Sequence, residues 1–243
     1  MKRKILGVVL AVMLICSMTA CANGSRQKSN TSVNENTSGR NQASTEGQTK
    51  SGEQKVKGNG KILVAYFTRA DNMDQDPGVD AVSRASFNVE NGKISGNTEI
   101  VAKYIQKAVG GDLFSIKTVK PYPLNYDDNV NVASEEQKNN ARPKLSTHVK
   151  NMDKYDVVFV GFPNWWGTLP QPVVTFLEEY NLSGKTVIPF ATHRGSGLGS
   201  GQEDISKLSP NSKILDGFSV RGEDAINSQN DVDKWIQGLG VLK

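Results

Sequence analysis

"YDVVFVGFPNWWGTLPQPV", residues 155–173, changes character twice within a short span. Val157 to Phe162 form an unbroken apolar run with no polar alternation, the pattern of a strand covered on both faces, as in a parallel sheet. The run stops at Pro163-Asn164, a turn signal. "PVVTFLEEY" (172–180) then places Val173, Phe176, Leu177 and Tyr180 on one helical face. Between strand and helix stand Trp165 and Trp166, two of the chain's three tryptophans. An indole is costly to leave in water, so a loop that holds two implies a partner for at least one of them.

The same alternation extends in both directions. "KILVAYF" (61–67), "DLFSIKT" (112–118), "KTVIPFAT" (185–192) and "SKILDGFSV" (212–220) are the other candidate strands. "NTEIVAKYIQKAV" (97–109) gives a helix with Ile100, Val101, Tyr104, Ile105 and Ala108 on one face, and "DVDKWIQGL" (231–239) a last helix that places Trp235 in the core. Strands alternating with helices predict an α/β domain, a doubly wound sheet of five parallel strands with helices on both faces. Ligands of such sheets bind beyond the carboxyl ends of the strands.

This domain is expected over residues 56–243. Residues 1–20 read as an export signal, with basic Lys2, Arg3 and Lys4 before an apolar core of about 16 residues, short for a spanning helix. Met18-Thr19-Ala20-Cys21 resembles the lipobox of bacterial lipoproteins, which implies cleavage before Cys21, lipid on that cysteine and attachment to the outer face of the cell membrane. An uncleaved anchor is the alternative. Residues 22–55 are polar, with Val33 their only aliphatic side chain larger than alanine, and read as a tether. A flexible chain of that length spans on the order of 30 Å.

The formal charge of +4 is concentrated outside the domain, because residues 56–243 carry 21 basic against 22 acidic side chains. That balance gives no electrostatic footprint for nucleic acid. Cys16 and Cys21 are the only cysteines and both precede the domain, so disulfides, thiolate nucleophiles and Cys-ligated metals are excluded from it. With only His148 and His193, a histidine-rich metal site is not expected.

Three loops at the strand ends carry unusual residues. Thr68-Arg69-Ala70 follows the first strand, and after an intervening stretch Gly96-Asn97-Thr98 opens a helix, where unpaired amides and the helix dipole favour an anion. Asn91-Gly92 within that stretch is a hairpin signal. Asn97 and Thr98 could equally be helix caps. The second loop is Pro163, Asn164, Trp165, Trp166 and Gly167. The third, Thr192, His193, Arg194, Gly195, Ser196 and Gly197, has glycines that let backbone amides approach a ligand.

Taken together, "YFTRADN", "GNTE", "YPLNYDD", "FPNWWGTLPQPV" and "PFATHRGSG" resemble the flavodoxin family, in a branch with an interrupted phosphate loop and a Trp-Trp loop. The resemblance implies strand order 2-1-3-4-5 and noncovalent flavin mononucleotide (FMN). It assigns Thr68, Arg69, Ala70, Asn97 and Thr98 to the phosphate, Pro163 to Gly167 to one ring face, and Thr192 to Gly197 to the pyrimidine and the other face. One tryptophan would face the ring while its neighbour packs beneath the loop or screens the ring edge; the alternative is that both cap the sheet or form a protein contact. His193 lies on the ring or is simply solvated. Ala70 and Arg194 depart from the family pattern, and Arg69 is a replacement phosphate cation. No acid-base pair or nucleophile is implied. The expected function is an exported, lipid-anchored carrier of electrons to a partner the sequence does not name; a nicotinamide-dependent quinone or azo reductase and a binding protein without redox chemistry are the rivals.

Overall fold

A computed structural model describes residues 61–73, 86–90 and 93–240. The export signal, Cys21, the tether and the Asn91-Gly92 turn lie outside the described residues. The strands are β1 (Lys61–Tyr66), β2 (Phe87–Glu90), β3 (Lys93–Gly96), β4 (Asp112–Ser115), β5 (Tyr155–Pro163), β6 (Thr186–His193), β7 (Lys213–Ile214) and β8 (Phe218–Arg221). The helices are α1 (Asn97–Val109), α2 (Tyr126–Lys138), α3 (Gln171–Glu179), α4 (Gly201–Leu208) and α5 (Gln229–Leu239).

The main sheet runs β4-β1-β5-β6, with β7 and β8 both on the outer side of β6, and every pairing is parallel. The expected order 2-1-3-4-5 is therefore the observed one, with the fifth strand broken in two. Val187 pairs with Ile214 and Phe190 with Phe218, so the outer chain carries one residue more across the gap. Pro189 sits in that gap and has no N–H to give a ladder. The Asp216 carbonyl, outside both strand segments, accepts instead from Trp235 Nε1 at 3.0 Å. Trp235 packs on Phe159 and Phe218 at the edge of the core, as expected.

Because side chains alternate along a strand, each central strand feeds two cores. Leu63, Ala65, Val158, Val160, Phe162 and Val187 meet Val173, Phe176 and Leu177 of α3 on one face. Val64, Tyr66, Val157, Phe159, Ile188 and Phe190 meet Val101, Ile105, Val232 and Ile236 of α1 and α5 on the other. Helix α1 starts with Glu99 accepting the Gly96 N–H at 3.2 Å and ends where Gly110 turns left-handed at φ 71°. Helix α3 tolerates Pro172 because a first-turn N–H needs no helical partner.

Helices α2 and α4 are absent from the sequence-based expectation. In α2, "YDDNVNVASEEQK", apolar residues are too few for a clear stripe. Asn125 instead caps the Asp128 N–H at 3.1 Å, and Asp127, Asp128 and Lys138 complement the helix dipole. The insertion after β1 returns as the antiparallel pair β2 and β3, whose last pair, Glu90 with Lys93, fits the expected two-residue turn.

Candidate functional site

The chain leaves β1 through Thr68 and Arg69, both buried, and a short 3-10 turn at Ala70–Asn72. Asn72 fixes this departure. Its Nδ2 donates to Thr68 O at 2.8 Å and Ile116 O at 3.1 Å, while its Oδ1 accepts the Thr118 N–H at 2.8 Å. The chain returns through β3 directly into α1. A Cβ placed on Gly96 would lie 2.0 Å from Thr68 Oγ1, so the two halves of the divided loop are in contact. Only glycine permits that approach. Asn88 ties the hairpin down by donating to Asn97 Oδ1 at 2.7 Å and to Gly222 O at 3.0 Å.

Asn97 and Thr98 are the first two residues of α1, and the capping position is Gly96. Thr98 Oγ1 lies 2.9 Å from Thr192 Oγ1, a bond from the divided loop to the third loop. Arg69 turns elsewhere. Its Nη2 donates to Pro123 O at 3.1 Å and Leu124 O at 2.6 Å, and its guanidinium lies 5.9 Å from the Tyr126 ring centre. It braces the segment entering α2, a role not expected from its position in the loop.

The Trp loop is a tight reversal. Trp165 and Thr168 exchange two backbone hydrogen bonds of 3.1 Å, and Trp166 (φ 55°) and Gly167 (φ 84°) between them are both left-handed, as in a type I′ turn. This separates the adjacent indoles. Trp165 packs edge-on against Phe67 and Tyr122, with ring centres 5.5 and 5.3 Å away. Trp166 is 59% exposed and takes a backbone conformation unfavourable for a bulky residue.

The third loop is held largely by its own backbone. His193 Nδ1 accepts the Gly195 N–H at 2.8 Å. Burial, then the nearby Arg221 charge, holds the imidazole below its ordinary pKa, which keeps this nitrogen an acceptor near neutrality. Gly195, Gly197 and Gly199 have φ of 140°, 59° and 56°. Asn164 Nδ2 donates to Gly197 O at 2.8 Å and the Ser200 N–H to Gly167 O at 2.8 Å, clasping the second and third loops together.

A cleft of about 390 Å³ opens between these loops. Pro163 to Gly167 form one boundary, and Thr192, His193, Arg194 and Ser196 another. Thr68, Arg69, Asn97 and Thr98 do not line it; they are buried, and Thr98 is bonded to the lining residue Thr192. Ala70, Gly195 and Gly197 are also off its walls. The wall that sequence reasoning missed belongs to α2: Tyr126, Asn129, Val130 and Ala133. Their spacing, one helical face, was the available signal. Asn129 Oδ1 and Asn164 Oδ1 are buried with no hydrogen-bond partner among the described residues. Those residues contain no group of three or more His, Cys, Asp or Glu able to hold a metal.

A sequence model of the flavodoxin family matches residues 88–239. Among solved structures, a protein from Bacteroides eggerthii DSM 20697 assigned as a flavoprotein is 30% identical, with a TM-score of 0.58 over 75% of this chain and 99% of that one. A second, from Bacteroides uniformis ATCC 8492 and assigned in the same way, is 28% identical, with a TM-score of 0.56 over 73% and 98%. A flavoprotein in complex with FMN from Lactobacillus acidophilus NCFM shares the fold at 17% identity, with a TM-score of 0.51 over 73% and 99%. No curated protein matches the chain.

Proposed function

This chain belongs to the flavodoxin family, and on that premise we propose that it is an FMN-binding electron carrier tethered to the outer face of a cell membrane through lipid on Cys21. The carrying observation is the contact between Gly96 and Thr68, which brings together the two segments that this reading assigns to the phosphate. The residues present fit the cofactor. Two buried amide oxygens at the cleft lack partners, and a ring N–H is a suitable donor to such an acceptor.

When bound, FMN supplies one- and two-electron redox chemistry. The chain's part is to hold and tune it. Thr68, Asn97 and Thr98 stand at the N-terminus of α1, where amides and the helix dipole favour the phosphate. Glu99 in the same turn is directed back onto the Gly96 N–H and paired with Lys103, which offsets its charge. Trp166 offers an exposed indole to one ring face, while Trp165 beneath it fixes the loop. Arg194 sets a positive charge at the rim of the cleft. Ala70 adds no hydroxyl to the phosphate loop.

Among the described residues no helix is long and apolar enough to cross a membrane. In this reading attachment rests on the lipobox cysteine, and Cys21→Ser should abolish labelling by a fatty-acid probe. The test of the cofactor is an absorption spectrum and an FMN titration of the purified domain. Flavin absorbance with fluorescence quenched on binding is expected; a colourless domain that takes up no added FMN would sink the reading. Turnover of NADH with a quinone would identify a reductase in place of a carrier.

A further inference from the structure

Four neighbouring strands of the main sheet start at a lysine. Lys61 opens β1 and Lys213 opens β7, while Lys154 and Lys185 immediately precede β5 and β6. In the order β1-β5-β6-β7, with strands about 5 Å apart, these residues form one row along the amino end of the sheet. The ladder holds them in line: Lys61 is in register with Tyr155, and the Lys213 N–H donates to Lys185 O at 2.8 Å. Lys107, in the last turn of α1, and Lys150, in the loop before β5, add cations at the same end. Among the described residues the acids on the loops of this end are Asp112, Asp153 and Asp156, so six lysines meet three aspartates. Asp112 already accepts from Lys154 Nζ at 3.2 Å and Tyr155 Oη at 2.7 Å. Glu178 and Glu179, at the end of α3, are turned onto Arg142 and His148.

The domain as a whole is nearly neutral, but the charge of a membrane acts locally. Strand β5 crosses the sheet in nine residues, about 30 Å, several times the Debye length of about 8 Å at physiological salt. A surface at the amino end therefore meets the lysines and is screened from the acids at the carboxyl end, Asp127 and Asp128 on α2 and Glu223 and Asp224 after β8. The chain also enters the sheet at this end. Residues 22–60 separate Cys21 from Lys61, the first lysine of the row, so lipid on Cys21 would join the domain to the bilayer from the same side. Resting on the lipid anchor proposed above, we infer that the lysine row docks on anionic lipid headgroups and sets the cleft on the side of the domain away from the bilayer, open to a partner from the aqueous phase.

The test uses the whole lipidated chain in vesicles rich in phosphatidylglycerol. After cleavage Cys21 is the only native cysteine, and lipid blocks it, so Ser183→Cys at the amino end and Asp127→Cys at the carboxyl end each accept one thiol-reactive dye. A nitroxide on the lipid headgroups should quench the Ser183→Cys dye several-fold more than the Asp127→Cys dye. The difference should vanish in neutral vesicles, in about 1 M salt, where the Debye length is about 3 Å, and in a variant combining Lys61→Gln, Lys154→Gln and Lys185→Gln. Lys185 Nζ also donates to Tyr155 O at 2.6 Å, so the salt measurement, which alters no lysine, guards against a folding defect in that variant. Equal quenching at both sites in anionic vesicles, or stronger quenching at the Asp127→Cys site, overturns the inference. A difference that survives in neutral vesicles or in high salt also overturns it. Dye uptake by the parent chain would instead show Cys21 free of lipid; the anchor reading then fails, and this inference with it.

Discussion

The loop after β1 and the loop after β6 meet at the bond between Thr98 and Thr192, yet they reach it by different means. The later loop is continuous and shaped by local backbone geometry: Gly195, Gly197 and Gly199 have positive φ, and His193 accepts a hydrogen bond from two residues on. The earlier loop is made of two pieces far apart in sequence. Gly96 there has an ordinary φ of −63°, and glycine is needed for space alone, against Thr68. A binding loop can thus be specified by dihedral angles within a segment or by one steric contact between segments. The second kind is the more easily broken by added volume.

The largest expected effect is at that contact. Gly96→Ala sets a methyl group against Thr68 and should destabilise the domain by about 3 kcal/mol, read from urea denaturation, because neither β1 nor α1 can move freely. FMN affinity should fall with it. A variant as stable as the parent would mean that the halves of the loop are not held together by this packing.

Next is Thr98→Glu, which adds a second acidic residue beside Glu99 in the first turn, where the dipole tolerates it, but sets a carboxylate where the phosphate belongs in the proposed reading. FMN affinity should drop on the order of a hundredfold through like-charge repulsion. Riboflavin, which lacks the phosphate, should bind as it does to the parent. Calorimetric titration of both ligands makes the comparison, and undiminished FMN binding would move the phosphate elsewhere.

Gly195→Ala probes the local kind of loop. The nearest atom to its added Cβ is Arg221 Nη2 at 3.8 Å, so space is not the obstacle, and the φ of 140° is. Destabilisation of about 2 kcal/mol is expected from backbone strain alone. If Gly195→Ala cost as much as Gly96→Ala, the contrast between the two loops would disappear.

The smallest effect is one of pH. Folding holds the His193 pKa below its ordinary 6.5, so its contribution to stability is complete above that value and is lost as pH falls through the lower folded pKa. Protonation removes the acceptor for the Gly195 N–H. Denaturation midpoints followed downward from pH 7 should fall more in the parent than in His193→Asn, whose side-chain oxygen accepts without titrating. Parallel curves would show that the brace carries no weight.

The unbroken apolar runs of β1, β5 and β6 and the striped faces of α1, α3 and α5 made most of the sheet and three of its helices legible, because each is a local pattern dictated by burial. The polar α2 was not legible, since its place depends on a cap, a dipole and the brace from Arg69. The glycine-rich third loop and the aromatic second loop were visible as candidates because glycine and tryptophan are informative residues in loops. The α2 wall with Asn129 was missed along with the helix that carries it, because its i, i+3, i+4, i+7 spacing marks one face only once the segment is known to be helical.

Which of two adjacent tryptophans packs and which stays exposed could not be read from their order. It is fixed by Phe67 and Tyr122, which arrive from other segments and take Trp165. Arg69 likewise has the charge suited to a phosphate, but the carbonyls of Pro123 and Leu124 lie within its reach. The sequence by itself determined the strands, the striped helices and the residues able to meet a flavin, because periodicity and side-chain chemistry are local properties. The tertiary structure alone decided that Gly96 would close on Thr68, that Thr98 would bond Thr192 and that α2 would wall the cleft, because each is a contact between segments whose distance apart no local pattern encodes.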